Sequence, residues 1–395
     1  MATKSEDPLR GDGLAQGDAT DDAWKPLKST ALQFSGHTLE YVRIWLANLA
    51  VVVATCGIYA PWARVRTRQY FLAQTQLGGS GFEYRANPRA MVYGWIVFSV
   101  GLALLGLSND WVASAIATAW IPSDNREFLV VLLSLGLGVL SQWPLISWLL
   151  VQSMRYNASR TLYRNLRFGF GSQAQQRSLW REMLFLTALG AIQIPTLGLL
   201  WPYFAWRWRR FQIRHRRFGT TPFTFTATAA DYRSLHLRAL PLLLLAFGAP
   251  FPALGLLVAQ RQNSPQVGLL LVLLLLGITT AFALGMLWSC WLEAAAARLT
   301  WRSIRLGDLR FHCTWRAGDL MRLRVGLGMA LVFSLGLAWP WVRIRNSRYR
   351  LERILISPAG ALEGFLGAEA ERISAMAEGA FTLDDPLSGV LDISL

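Results

Sequence analysis

The residues best suited to chemistry in this sequence are arginines with a repeated spacing. Three segments share the pattern Arg-x3-Arg-x2-Arg-x-Gly, whose spacings of four and then three place the guanidinium groups on one face of a helix. The glycine then stands where the helix ends. The residues are Arg160, Arg164, Arg167 and Gly169; Arg210, Arg214, Arg217 and Gly219; and Arg298, Arg302, Arg305 and Gly307.

Aligned guanidinium groups bind phosphate well, because each planar fork can donate two hydrogen bonds to one anion. Beside a membrane the available anions are lipid head groups, and each arginine near an anionic surface contributes about 1 kcal/mol. We therefore predict that these nine arginines face phosphate or anionic lipid. The alternative is that they only orient the chain in the membrane and bind no particular ligand.

The residues that enzymatic chemistry needs are not arranged for it in this sequence. The four histidines have no metal-ligand spacing, and the three cysteines form no CxxC pair. The sequence also contains no phosphate-binding Walker loop and no GxSxG nucleophile motif. We expect no catalytic residues, no metal and no cofactor, and therefore a protein that is not an enzyme.

The composition is typical of a membrane protein. Apolar residues make up 53% of the chain and charged residues 16%, and the mean hydropathy is +0.31. The net charge of +15 reflects arginines that flank apolar runs, so we expect a lipid bilayer as partner and no nucleic acid. Seven runs are long enough to consider as membrane segments, at about 44–61, 90–107, 128–151, 183–204, 235–259, 267–292 and 325–341.

A second pattern, Thr/Ser-x-Gly-Ile/Leu-x-x-Pro-aromatic, closes three of these runs. It occurs at 55–62, 196–203 and 334–341, and its prolines are 141 and 138 residues apart, which indicates an internal repeat. The glycine can end one helix and the proline can begin the next. The candidate re-entrant turns are therefore Gly57 and Pro61, Gly198 and Pro202, and Gly336 and Pro340.

The charges between the apolar runs lead to a predicted topology. Loops 108–127 and 260–266 are poor in basic residues, and the other connections are rich in them. Because basic loops stay in the cytoplasm, we predict two spanning hairpins, formed by 90–107 with 128–151 and by 235–259 with 267–292. The other three runs would be re-entrant or interfacial, with both termini cytoplasmic. Seven ordinary spans are the alternative.

These observations predict an all-α integral membrane protein. It would be a tandem pseudo-repeat of helical hairpins with re-entrant or interfacial segments and short cytoplasmic β pieces, such as 82–84, 223–225 and 311–313. The predicted divisions are a disordered cytosolic tail at 1–30, membrane repeat units at 31–170 and 171–310, a truncated third unit at 311–358 and a cytosolic tail at 359–395.

Acidic residues beside a membrane are candidates for a functional or structural role, because placing a charge there costs free energy. Three acids precede the re-entrant runs at corresponding positions, and each has an arginine within three residues. We expect these neighbours to form ion pairs that anchor the start of each run. The pairs would be Glu40 with Arg43, Glu182 with Arg181, and Asp319 with Arg322.

The N-terminal part of the chain resembles the YjgN-like family of bacterial inner-membrane proteins. The resemblance rests on Phe34-Ser35-Gly36, on the stretch from Gly57 to Tyr70, and on Gly81-Phe82-Glu83-Tyr84-Arg85-Ala86-Asn87-Pro88. It extends to about residue 355 through the recurring patterns, and it leaves out both tails. The resemblance implies a multi-pass protein of the bacterial inner membrane. It implies no activity and supplies no catalytic residues.

Two functions follow from this sequence. The repeated units could line a pathway, which predicts a transporter or channel for a small solute or lipid. Alternatively, the protein is a non-transporting scaffold that binds anionic lipid or a partner protein through its arginines. A continuous polar cavity between the two spanning hairpins would favour transport, whereas a dry interface there would favour the scaffold.

Overall fold

The computed structural model describes residues 29–120, 126–172, 175–252, 254–255, 267–358 and 361–381. Pairs of helices alternate with β-hairpins along this part of the chain. The strands are β1 (Thr30–Ala31), β2 (Gln33–Phe34), β3 (Thr75–Leu77), β4 (Ser80–Tyr84), β5 (Thr161–Tyr163), β6 (Leu166–Phe170), β7 (Arg216–Phe218), β8 (Thr221–Phe225), β9 (Ile304–Leu306), β10 (Leu309–Cys313) and β11 (Ile354–Ser357).

The helices form five pairs and one single helix within the described residues. They are α1 (Thr38–Ala54) with α2 (Ala60–Ala73), α3 (Pro88–Trp120) with α4 (Arg126–Ser159), α5 (Gln176–Ala191) with α6 (Trp201–Arg214), α7 (Ala229–Gly248) with α8 (Val267–Arg302), α9 (Ala317–Phe333) with α10 (Trp339–Glu352), and α11 (Ala361–Phe381).

All the described strands join one antiparallel sheet of 11 strands that forms a nearly closed barrel. Each β-hairpin has a strand of 3 residues, a two-residue turn and a strand of 5 residues, as in Thr75–Leu77 and Ser80–Tyr84. The first half of the longer strand pairs with the strand before it, and the second half with the strand after it. Gly78 and Gly79 both have positive φ, which suits the tight turn of a twisted hairpin.

The N-terminal segment 30–34 closes the barrel. Thr30 and Ala31 pair with β11, whereas Gln33 and Phe34 pair with β3. Between them, the Leu32 amide donates a hydrogen bond to the Ile354 carbonyl at 3.2 Å. The segment 30–34 thus acts like one more long strand beside β4, β6, β8 and β10. Both edges of the sheet gain a partner for their backbone groups.

The barrel interior is an apolar core. Alternate positions of the strands point inwards, so buried and exposed residues alternate in Ile304-Arg305-Leu306. Ring stacking adds to the packing, with the Phe168 and Phe218 centroids 4.8 Å apart. The buried residues of this core are Leu32, Leu77, Tyr163, Leu166, Phe218, Leu306, Leu309, Ile354, Ile356, Leu362 and Leu366.

Two of these core residues belong to α11, which covers the end of the barrel where the hairpin turns lie. A Cβ atom at Gly78 would contact Leu362, and one at Gly307 would contact Phe365. The five paired helical segments leave from the opposite end, because every hairpin turns at the α11 end. The helix α11 therefore seals one mouth of the barrel with apolar side chains.

The Gly/Pro pattern forms the turn between the helices of the three shorter pairs. Leu197 and Gly198 both have positive φ, and so do Cys56 with Gly57 and Leu335 with Gly336. The hydroxyl of the first residue stabilises this turn in two of the copies, since Thr55 accepts a hydrogen bond from the Tyr59 amide at 3.1 Å and Ser334 accepts one from the Ala338 amide at 2.9 Å. Proline then occupies the first turn of the second helix, where it needs no hydrogen-bond donor.

Three helices are long and apolar enough to cross a membrane, among the residues that the structure describes. They are Pro88–Ala119, Glu127–Ser159 and Gly268–Arg302, which lie in α3, α4 and α8. Each helix from α1 to α10 packs against the next one in sequence, and α10 packs against α1. The helices therefore form a ring that follows the order of the barrel strands.

The predicted all-α fold class is wrong. The short β pieces at 82–84, 223–225 and 311–313 do lie in strands, but they belong to a barrel of 11 strands rather than to isolated pieces. The reason is that strands of 2 to 5 residues are too short to show a clear alternation beside apolar runs. The expected loop 108–127 is also partly helical, since α3 continues to Trp120.

The predicted divisions of the chain remain a prediction. The barrel includes strands from 31–170, 171–310 and 311–358 in one sheet. Residues 1–28 and 382–395 of the expected tails lie outside the described residues. Thr30 of the expected first tail lies in β1, and 361–381 of the expected second tail form α11.

Replacing Gly198 by alanine should lower stability by about 1–2 kcal/mol, because a side chain at positive φ meets the following carbonyl oxygen. Gly198 has a φ of +77° and open space around it, so strain and not crowding would be the cause. The thermal midpoint of the purified protein in detergent measures this effect. The control is Gly190→Ala inside α5, where the new methyl group would meet Phe204 at an ordinary 3.5 Å. Equal midpoints for both variants would contradict the strain at Gly198.

Candidate functional site

An open basic cavity lies beside the base of the α5–α6 pair. One face of α5 is fixed by burial, since Leu179, Met183 and Leu186 are all fully buried. They pack with Val151 of α4 and Phe211 of α6. This packing leaves the charged face of α5 turned towards α6 and solvent, and so it positions the side chains of the cavity.

The cavity has a volume of about 710 Å³ and is lined mainly by polar and charged residues. Its lining residues are Gln175, Arg177, Ser178, Arg181, Glu182, Phe185 and Arg207. Arg207 lies with its Cζ 4.7 Å from the ring centroid of Phe185, and its Nη1 donates a hydrogen bond to the Tyr203 hydroxyl at 3.2 Å. The Nε of Arg207 is buried and has no partner in the described structure.

Glu182 is the acidic residue that lines this cavity, and its carboxylate forms a hydrogen bond with His215. The His215 Nε2 lies 3.1 Å from Glu182 Oε2. This hydrogen bond is the main cause that lowers the pKa of Glu182; burial opposes it, and the charges of Arg207 and Arg214 add to the lowering. Neither Arg177 nor Arg181 makes an ion pair with the residues that the structure describes. The cavity therefore carries a net positive charge.

The expected ion pairs between sequence neighbours are not formed within the described structure. The acid at the start of each first helix instead contacts the end of the second helix of the same pair. Asp319 pairs with Arg353 at 2.7 Å, and Glu182 with His215. In the first pair, the Tyr70 hydroxyl lies 3.5 Å from Glu40. These contacts join the two ends of each short helical pair beside the barrel.

The three arginine patterns do not form aligned helical faces. Arg210 and Arg214 lie on α6, and Arg298 and Arg302 on α8, but the last arginine of each pattern is in a strand. Arg160 and Arg164 occupy turns at the ends of β5, with Arg164 at a φ of 46°. The strand arginines, all exposed on the barrel exterior, are Arg167 on β6, Arg217 on β7 and Arg305 on β9.

Several of these arginines have structural partners. Arg164 donates hydrogen bonds to the Gly78 carbonyl and the Ser80 hydroxyl, both at 3.0 Å, and so joins two hairpin turns. Arg298 donates to the Trp315 carbonyl. Gly169 lies under the side chain of Arg217, where a Cβ would come within 2.4 Å of Nε. Binding of phosphate or lipid by the nine arginines remains a prediction.

A second cavity of about 580 Å³ lies between α3, α4 and α5. Its polar lining includes Asn109, Asp110, Gln142 and Thr187. Thr187 accepts a hydrogen bond from the Trp143 indole at 2.6 Å, which fixes α5 against α4. This cavity is not evident from the sequence, because the sequence predicts a loop at 108–127, where α3 continues to Trp120.

The most enclosed acid in the described structure is Glu369 of α11, whose side chain has no solvent exposure. Its carboxylate accepts hydrogen bonds from the hydroxyls of Thr220 at 2.6 Å and Thr221 at 2.9 Å, and from their backbone amides. Burial acts to raise the pKa of Glu369, but these hydrogen bonds outweigh it and hold the pKa below its usual value. Glu369 therefore fixes α11 to the β7–β8 turn.

Within the described residues, no group of three or more His, Cys, Asp or Glu side chains could hold a metal ion. The molecule is a helical protein built on a small barrel, with helices able to cross a membrane. It belongs to the family of bacterial proteins of unknown function called DUF898, which matches residues 29–383.

Curated relatives agree with the resemblance to YjgN-like proteins. Inner membrane protein YjgN of Salmonella typhimurium is 26% identical over 162 residues, which cover 40% of this chain and 35% of the relative. The protein of the same name from Escherichia coli O157:H7 is 25% identical over 169 residues, covering 43% and 37%. The matches thus span about a third of the length of these relatives. No solved structure matches the chain.

Protonation of Glu369 should loosen α11 in acid. Because the folded pKa lies below the unfolded value of about 4.5, the carboxylate stabilises docking above that value. This stabilisation is lost as the pH falls through the folded pKa. Hydrogen exchange of α11 should therefore speed up in acid, and Glu369→Gln should speed it up at neutral pH, with a cost of about 2 kcal/mol.

The matched control is Glu371→Gln, an exposed acid two residues further along the same helix. This variant should exchange like the unmodified protein at neutral pH. Equal exchange of α11 in the Glu369 and Glu371 variants would contradict the role of Glu369.

Proposed function

We propose that this protein is a multi-pass protein of the bacterial inner membrane that acts as a non-transporting scaffold. Its barrel lies at the cytoplasmic face, and its helical pairs enter the bilayer from that side. The names of the relatives support the location. The helices α3, α4 and α8 support the crossing of the membrane.

The barrel supports a topology in which every helical pair starts and ends on one side. The strand before α1 and the strand after α2 are both in the same sheet, and the same is true of the other four pairs. Because one small barrel includes all these strands, it must lie on a single side of a bilayer. Its exposed arginines favour the cytoplasmic side.

The three short pairs suit re-entrant segments. The helix α1 has 17 residues and α2 has 14. At 1.5 Å per residue, lengths of about 25 and 21 Å fall short of the roughly 30 Å of hydrocarbon in a bilayer. Their tips expose apolar side chains, with Leu197 95% and Leu335 93% exposed. An exposed apolar tip is stable when lipid surrounds it.

The filled barrel is the observation that carries the scaffold function. Its interior is occupied by packed apolar and aromatic side chains, and α11 covers one end. A packed core offers a solute no route through the barrel itself. The barrel is therefore suited to hold helical pairs in a fixed arrangement, with its basic exterior available to anionic lipid or a partner protein.

Transport is the second candidate, and the cavity between α3, α4 and α5 favours it. This cavity is lined mainly by apolar side chains, but Asp110 and Gln142 contribute polar groups to it, and it lies beside helices that are able to span the bilayer. It differs from the predicted pathway, because it lies between one long pair and α5 and not between the two long pairs. A route of this kind would use Asp110 and Gln142 as polar contacts.

Cysteine labelling tests the topology. In a background without the native cysteines, Arg217→Cys and Arg305→Cys on the barrel exterior should react only with a reagent that reaches the cytoplasm. Asp110→Cys should react with an impermeant reagent from the periplasm, because Asp110 lies about 33 Å along α3 from Pro88 at 1.5 Å per residue. Labelling of Arg305→Cys from the periplasm would reverse the proposed orientation.

Flux measurements separate the scaffold from a transporter. Proteoliposomes that contain the full chain should release potassium, chloride and phosphate no faster than empty liposomes. Asp110→Asn tests the cavity between α3, α4 and α5, and Glu127→Gln is its control, because Glu127 is an exposed acid in the first turn of α4. Protein-dependent flux that Asp110→Asn abolishes and Glu127→Gln leaves intact would replace the scaffold with a transporter.

A further inference from the structure

We propose that the cavity at the base of α5 and α6 binds the phosphate group of an anionic lipid at the cytoplasmic face. This inference deepens the proposed scaffold function and rests on its membrane placement. None of the nine arginines in the repeated pattern lines this cavity. The site is formed by Arg177, Arg181 and Arg207.

Two helices supply the three guanidinium groups. Arg177 and Arg181 are four residues apart on α5, so they stand one turn apart on the same face. Both are exposed. Arg207 enters from α6 on the other side of the cavity. A phosphate placed between the helices would meet positive charge from both.

Arg207 is held ready for an anion. Its guanidinium lies over the Phe185 ring, and the Tyr203 hydroxyl accepts one of its hydrogen bonds. The buried Nε keeps an unused donor, which is costly unless a ligand or water accepts from it. The guanidinium of Arg207 lines the cavity, and guanidinium groups suit phosphate because they bind it through paired hydrogen bonds.

The single acid of the cavity does not oppose an anion strongly. Glu182 already has a partner in His215 at 3.1 Å. Three arginines therefore face one paired carboxylate. Ser178 and Gln175 add polar groups at the same rim, although the Ser178 hydroxyl also donates to the Gln175 carbonyl at 2.7 Å.

The surroundings favour a lipid over a soluble phosphate. Along α5 and its turn, the exposed surface becomes apolar beyond the arginines, with Phe185 46%, Ile192 45% and Ile194 82% exposed. A head group at the arginines would thus place acyl chains along this apolar surface. Free phosphate would use the same arginines and gain nothing from the apolar surface.

The test measures binding to the detergent-solubilised full chain with three probes. These are dioctanoyl phosphatidylglycerol, dioctanoyl phosphatidylcholine and inorganic phosphate. Phosphatidylglycerol should bind most tightly. Arg181→Gln and Arg207→Gln should each weaken it about fivefold, and added salt should weaken it further. Arg207→Lys should recover only part of the loss, because lysine lacks the planar fork.

The control is Arg345→Gln on α10, which stands at the matching position five residues after a proline. Arg345 lies over Trp341 at 5.6 Å and lines no part of this cavity. Its affinity for phosphatidylglycerol should be unchanged. Because Arg181 is exposed, loss of binding in Arg181→Gln with an unchanged thermal midpoint excludes misfolding as the cause.

Three results are informative. If inorganic phosphate binds as tightly as the lipid and the same arginines are needed, the site recognises phosphate from solution, and the lipid part of the proposal is overturned. Equal binding of both lipids, or equal losses in the Arg207 and Arg345 variants, would overturn the site altogether. Membrane placement is judged separately, by whether the protein stays in the membrane fraction after alkaline extraction.

Discussion

Closure of the barrel by the segment 30–34 is the constraint on which the remaining structure depends. A sheet with two free edges would leave rows of unpaired backbone groups. Here one short segment pairs with β11 through Thr30 and Ala31 and with β3 through Gln33 and Phe34. Closure also sets the order of the hairpins around the barrel, and the ring of helices follows that order.

The closed barrel explains why the short helical pairs are held at both ends. Each pair begins after a long strand and ends before a short one, so its two ends stand side by side. Contacts such as Asp319 with Arg353 and Glu182 with His215 then cross that narrow gap. The same arrangement places Arg207 of α6 opposite the arginines of α5. The basic cavity is thus a product of the pairing of the helices and of the barrel beneath them.

Some of this structure could be predicted from the sequence and some could not. The helix breaks at Gly57, Gly198 and Gly336 follow from local chemistry. Glycine adopts the positive φ, proline starts a helix where no donor is needed, and a hydroxyl can accept a hydrogen bond from the turn. The arginine spacing predicts one helical face, but the observed pattern runs from the end of a helix into a strand. Arg305, for example, alternates with the buried Ile304 and Leu306, which indicates a strand.

The pairing across the barrel lay beyond local patterns. The five residues 30–34 contain no pattern that predicts pairing with β11 and β3. The same is true of α11, whose Glu369 finds its partners at Thr220 and Thr221. By contrast, the spacing of Arg177 and Arg181 was visible, and an apolar face of Leu179, Met183 and Leu186 on α5 accompanies it. A basic helix face opposite a buried apolar face is therefore the sequence signal that points to this site.

The closing strand also has a consequence for biosynthesis. The segment 30–34 leaves the ribosome before any of its partners, and β11 is made after all the helical pairs. The Gly36 carbonyl, just past this segment, accepts a hydrogen bond from Arg348, 312 residues away in sequence. Contacts of such separation form late, since the intervening chain must first be ordered. Each helical pair can therefore fold while the barrel is still open, and the last strand completes it.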